Sequence, residues 1–166
     1  MEGRLHPFEE DLVLLDTIPG VGMRTAQDIV AEIGTDMERF PTAGHLASWA
    51  GMSPGNNESA GKKKSGKTTK GNKHLRTTLV EAARAASRTK DTYLSAQYKR
   101  LAARRGSKKA AIAVGHSILV IVYHMLKRHQ PYNELGSDFL EKQKKDAVKR
   151  NAIKKLEMLG VSSHFI

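Results

Sequence analysis

Apolar residues recur at intervals of three and four along most of this chain, and each such run predicts a helix. Phe8, Leu12 and Leu15 predict a first helix over residues 7–16, with Glu9, Glu10, Asp11 and Asp16 read as solvent-facing. Ala26, Ile29, Val30 and Ile33 form the apolar face of a second helix over Met23–Ile33, and Gly34 follows as its stop. Thr42 caps a short helix through residue 50, in which Leu46, Trp49 and Ala50 are expected to cover the preceding pair of helices. Leu75, Leu79, Ala82, Ala83 and Ala86 give the buried stripe of a helix over residues 72–87, and Leu94, Tyr98 and Leu101 that of another over 93–103. Residues 108–129 are nearly all apolar over their middle and read as the core spine; 138–159 carry only a thin stripe of Phe139, Val148, Ala152, Leu156 and Leu159. No βαβ pattern and no internal repeat occur. The pattern is that of an all-α helical bundle, divided into residues 1–137 and a charged C-terminal helix and tail over 138–166.

One stretch breaks the pattern. From Ser53 to Arg76 no apolar residue larger than alanine occurs until Leu75, so this is a long loop and not a core element. Lys62, Lys63, Lys64, Lys67, Lys70, Lys73 and Arg76 fall in it with no acid from residue 62 onward, and Gly61, Gly66 and Gly71 let its backbone approach a ligand closely. Such a loop is costly to order, which predicts mobility over residues 53–70 in the free chain.

Charge then narrows the partners. The 166 residues carry 28 Lys and Arg against 17 Asp and Glu, a formal net charge of +11, and nucleic acid is the usual polyanion for so basic a domain. An anionic membrane surface or an acidic protein is the other class the charge admits. The absence of cysteine excludes disulfides and thiolate metal sites. The first residues have no apolar core of a secretory signal, and the apolar run 110–125 falls short of the ~20 residues of a membrane span. The expectation is a cytoplasmic chain with no membrane partner.

Two sets of residues carry candidate chemistry. Ile18-Pro19-Gly20-Val21-Gly22 between the first two helices matches a helix-hairpin-helix motif, in which Gly20, Val21 and Gly22 turn backbone N–H groups toward a phosphate while Arg24 and Thr25 add a charge and a hydroxyl. The basic loop adds Lys62, Lys63, Lys64, Lys67, Lys70, Lys73 and Arg76 as backbone contacts. Ser59, Ser65 and Ser53 are its candidate nucleophiles; a serine hydroxyl needs a base or metal to lose its proton, and His74 is the nearest histidine. Lys99, Arg100, Arg104, Arg105, Lys108 and Lys109 form a second acid-free cluster. Trp49 reads as a core residue, with stacking on a base as the alternative, His45 as a cap or surface residue, and His116 and His124 as packed side chains in preference to metal ligands.

The hairpin IPGVGMRTAQDIVAEIG, the segment FPTAGHLASWAGMSPGNNESAGKKKSGKTTKGNKHLR and the alanine-rich helices after it resemble, in order and spacing, the C-terminal transposase domain of the IS-one-ten group of bridge-RNA-guided insertion-sequence transposases. The resemblance runs from about residue 7 to residue 160. It implies that Ser59, in Glu58-Ser59-Ala60-Gly61-Lys62, is the nucleophile for DNA strand cleavage and exchange, and that the hairpin and lysine block touch DNA or a guide RNA. It also implies an N-terminal half of ribonuclease-H-like fold with four magnesium-binding carboxylates, absent from this sequence, so that Mg2+ comes from outside the chain and an isolated domain is inactive. The full-length protein is expected to be a homo-oligomer. The competing readings are a helix-hairpin-helix module that binds nucleic acid without cutting it, and an assembly role in which the last helix dimerises.

Overall fold

The structure, a computed structural model, describes residues 6–53, 57–59, 62–65 and 70–161. It is a helical bundle. Its helices are α1 (His6–Asp16), α2 (Met23–Ile33), α3 (Ala43–Trp49), α4 (Lys73–Ala86), α5 (Tyr93–Arg105), α6 (Ser107–Arg128) and α7 (Phe139–Met158). Two short strands, β1 (Asn57–Ser59) and β2 (Lys62–Ser65), interrupt the helices between α3 and α4.

Local side chains start three of these helices, at α3 with the cap expected from the sequence. The Thr42 hydroxyl accepts from the His45 amide ahead of α3, Asn72 Oδ1 from the Leu75 amide ahead of α4, and the Thr92 hydroxyl from the Ser95 amide ahead of α5. Each satisfies a helix N–H that would otherwise lack a partner. The last turns of α2 and α6 close on Gly34 (φ 72°) and His129 (φ 51°), both in the left-handed region.

α6 is the spine: α1, α3, α4 and α5 all pack on it. By length and composition it would cross a membrane, but over half of its apolar stretch is buried inside the bundle, as befits a core helix. Small residues let its neighbours come close. A Cβ on Gly115 would lie 3.0 Å from the Met52 methyl and 3.2 Å from the Leu79 carbonyl oxygen, so α6 and α4 cross almost backbone to backbone. The turn between α1 and α2 meets α4 in the same way. Gly20 has φ 86°, and a Cβ there would overlap the Ala82 carbonyl and the Ala86 backbone. This explains the alanine stripe of α4: any larger side chain would lift the turn away.

Four sequence expectations change here. Asp11, read as solvent-facing, is 6% exposed and lies 3.6 Å from His129 Nδ1, joining α1 to the end of α6. Burial pushes its carboxyl above the usual range, and the neighbouring His129 works against that push. Trp49, read as core, is 44% exposed and rests on the ring of Phe40, while Leu46 is the fully buried large side chain of α3. His124, read as packed, faces solvent, whereas His116 is half-buried and has its pKa lowered by that burial. The stripe of α7 is not a packing face: Val148, Ala152, Leu156 and Leu159 are exposed, and only the start of the helix docks, through Phe139 edge-on to Tyr93 at 5.8 Å.

Gly20→Ala should destabilise the chain by about 3 kcal/mol, combining a strained φ with overlap on α4. Gly44→Ala, inside α3 where a Cβ meets only Thr42 Oγ1 at 3.5 Å, should stabilise it by up to ~1 kcal/mol. Chemical denaturation of the two variants beside the parent checks the opposite signs.

Candidate nucleic-acid interface

The basic stretch leaves the bundle after α3 and returns at α4, and its two feet touch. Gly51 (φ 71°) and Gly71 face each other with no room for a side chain: a Cβ on Gly71 would overlap the backbone of residues 50–51, and one on Gly51 would come within 2.8 Å of Gly71 N and of Arg76 Nη2. One foot is sunk into the core by Met52, which packs at Gly115. The other is held by Asn72, which caps α4 and donates through Nδ2 to Glu32 Oε2 at the end of α2. His74 Nε2 sits 4.0 Å from the second oxygen of Glu32. Glu32 therefore ties α2 to the return foot, a role with no sequence signal, since its partners lie forty residues away.

Between the feet, β1 and β2 pair antiparallel where the sequence predicted loop. Ser59 stands opposite Lys62 and Glu58 opposite Lys63; the register then slips by one residue, so that Asn57 pairs with Ser65 and Lys64 is the extra residue. A one-residue slip of this kind is a β-bulge. Lys67, and the mobility expected of residues 54–56, 60–61 and 66–69, lie outside the described residues.

The other expected contacts separate into two groups. Gly20 lies against α4 while staying partly exposed, and Val21 is 3% exposed with its N–H donated to the Ile18 carbonyl, so Val21 shapes the turn from inside. Gly22, with open space around its α-carbon, and Arg24 are exposed at the start of α2, where no side chain caps the helix, and Thr25 is half-exposed beside them. Lys70 and Lys73 are exposed on the return limb. Arg76 is half-buried over the Gly51–Gly71 contact, which makes it a brace for the feet. The second basic cluster, residues 99–109, is exposed at the corner where α5 turns into α6 at Gly106 (φ 88°). Among the described residues no group of three or more His, Asp or Glu is placed to hold a metal ion.

A family model for the transposase IS116/IS110/IS902 family matches residues 12–99, from α1 through the basic stretch into α5. The chain belongs to that transposase family. The transposase for insertion sequence element IS1111A of Coxiella burnetii is 33% identical over 127 residues, which are 74% of this chain and 35% of that protein. The pilin gene-inverting protein of Moraxella bovis is 32% identical over 124 residues, 73% of this chain and 38% of its own length. The insertion element IS110 43.6 kDa protein of Streptomyces coelicolor is 47% identical over 49 residues, 30% of this chain and 11% of that protein. The chain thus spans little more than a third of the transposase and the gene-inverting protein it matches.

In this transposase-family chain the foot contacts should be measurable as stability. Asn72→Ala removes a cap and leaves Glu32 without its amide partner, at a cost of about 1–2 kcal/mol. Asn72→Ser, which keeps a capping oxygen, should recover roughly half of that loss. Equilibrium denaturation in urea distinguishes the two.

Proposed function

We propose that this chain is the part of a DNA recombinase that grips the DNA backbone and supplies the attacking serine. The observation that carries the reading is the ladder register, with Ser59 opposite Lys62 in a strand pair rooted at one point of the bundle. Directly paired residues of antiparallel strands have Cβ atoms about 5 Å apart. An ammonium group at that range would neutralise charge on the phosphate that a Ser59 hydroxyl attacks.

In the proposed step the Ser59 oxygen bonds to phosphorus, and the bond from phosphorus to one sugar oxygen breaks. The freed sugar hydroxyl takes up a proton as the serine hydroxyl gives one up. One phosphodiester replaces another, so the reverse attack can rejoin strands, which suits both transposition and the DNA inversion implied by the name of the Moraxella bovis relative. Magnesium, which the family resemblance implies, would supply charge neutralisation and help remove the serine proton. On that resemblance its ligands would belong to a carboxylate-bearing region outside this chain; among the described residues no group of three or more acids or histidines is placed to hold a metal. The chain's own part is the hydroxyl, the cations and the frame holding them. Ser65, at the far end of the ladder opposite Asn57, ranks behind Ser59.

Around that step the first two helices act as a helix-hairpin-helix clamp, in which the uncapped start of α2, with Gly22, Arg24 and Thr25, takes a backbone phosphate. Lys62, Lys63, Lys64, Lys67, Lys70 and Lys73 extend the grip along the same backbone, or along a guide RNA. Contacts of this kind position a duplex without reading its sequence.

When the natural protein that carries this chain is mixed with its DNA and magnesium and then denatured, a protein–DNA adduct is expected, and Ser59→Ala should abolish it. An adduct of undiminished yield would reduce the chain to a binding module. Replacing Lys62, Lys63 and Lys64 together by Ala should lower the slope of log affinity against log salt by roughly 2–3, since each phosphate contact contributes about 0.9. A salt titration by fluorescence anisotropy reads this directly.

A further inference from the structure

Trp49 is the largest side chain that the bundle leaves open, and it does not stand alone. Its ring is held against Phe40, with centroids 5.8 Å apart and planes tilted by 57°, and Arg39 lies 5.9 Å over the same Phe40 ring. The Phe40 carbonyl accepts from the Tyr123 hydroxyl at 2.9 Å, which fastens the aromatic pair to α6. Lys127 donates to that hydroxyl at 3.3 Å and lies 5.4 Å over the Tyr123 ring. Beside these groups a cleft of about 640 Å³ opens between the start of α3 and the end of α6, lined among others by Thr42, Gly44, Tyr123, His124, Lys127 and Arg128 and by no carboxylate. Lys127 and Arg128 bring positive charge to the cleft beside His124, whose pKa is lowered first by burial and then by these two cations.

We infer that this face is a seat for single-stranded nucleic acid, with an unpaired base stacked on Trp49 and the adjoining phosphates over Lys127 and Arg128. The partner is chosen by what is present: an aromatic face fixed by a second ring, next to an acid-free cationic cleft, is the combination that single strands use. Stacking needs a ring that is exposed yet immobile, and Phe40 supplies the second condition. The dimensions agree. The seven residues of α3 separate Trp49 from the cleft by about 10 Å, roughly three nucleotides at the ~3.4 Å rise of a stacked strand. Of the acids nearby in sequence, Asp36 accepts from the Glu38 amide and Glu38 is exposed, and neither lines the cleft. Trp49 also stands two residues before Gly51, so a strand leaving the cleft over its ring would run on to the feet of the Ser59 hairpin. The inference rests on the nucleic-acid reading of the chain but assigns a different surface, and to unpaired strand instead of duplex.

Trp49 is the only tryptophan, so intrinsic emission reports on this site alone. Titrating the chain with an oligothymidylate should quench that emission, while an abasic strand of the same length should bind without quenching. Trp49→Ala should weaken binding of a fluorescently labelled oligothymidylate roughly tenfold, and Trp49→Phe should retain most of it. Thermal unfolding of both variants verifies the fold, and the emission titration of the parent stands even where a variant fails to fold. Binding of the labelled strand with unchanged tryptophan emission, equal quenching by the abasic strand, or full affinity in Trp49→Ala each overturns the stacking seat and leaves the function proposed above intact. No binding of the oligothymidylate overturns the seat alone; a labelled duplex that also fails to bind overturns the function proposed above as well.

Discussion

Two backbones in van der Waals contact, at Gly51 and Gly71, are the constraint on which the arrangement of the candidate site depends. Beyond Met52 the residues between them have almost no apolar surface of their own, so burial cannot place them. Their position is inherited from the feet. One foot is fixed by Met52 in the core and the other by the Asn72 cap and its bond to Glu32, so the excursion rises from a single point on the bundle. Closing a flexible loop costs entropy that grows only slowly with its length. A stable pair of feet can therefore carry a long basic segment without the segment contributing to the core.

The same economy of side chains recurs throughout. α4 crosses α6 at Gly115 and receives the α1–α2 turn at Gly20, both times with its backbone as the contact surface. Alanine at positions 82, 83 and 86 is what close approach requires, and the scarcity of aromatic residues follows from it. The few rings present join elements: Tyr123 on the Phe40 carbonyl, Tyr93 on Phe139, and Phe40 under Trp49. Helices packed this closely form a stiff frame, and a stiff frame is what a charged, poorly packed segment needs if it is to act at a defined place.

Charge is arranged by the same frame. Lys127 and Arg128 occupy the last turn of α6, where the helix dipole favours cations, whereas Lys73, Lys108 and Lys109 stand in first turns, where it opposes them. Cations kept in unfavourable positions suit a surface whose counter-charge arrives with a partner. Membership of a transposase family, whose relatives are named for insertion sequences and for gene inversion, agrees with a polyanion as that partner.

Much of this chain was legible one element at a time. Helix spans came out within a few residues because periodicity, Thr42 as a cap and Gly34 as a stop are local properties of the chain, while the Asn72 and Thr92 caps emerged only in the structure. The basic stretch and the order of motifs around it were equally local, and they sufficed for the family resemblance. What a helix faces is not local. Asp11 against His129, Glu32 beneath Asn72, the exposure of Trp49 and the unpacked stripe of α7 each depend on which distant element arrives first to cover a surface. Gly20 was read for its conformational freedom, and only the packed bundle revealed that its missing side chain makes room for α4. The strand pair in the lysine run was hidden because the run Gly61, Lys62, Lys63, Lys64 carries no alternation to read. Sequence determined the elements and the kind of surface; the contacts between elements decided which residues that surface presents.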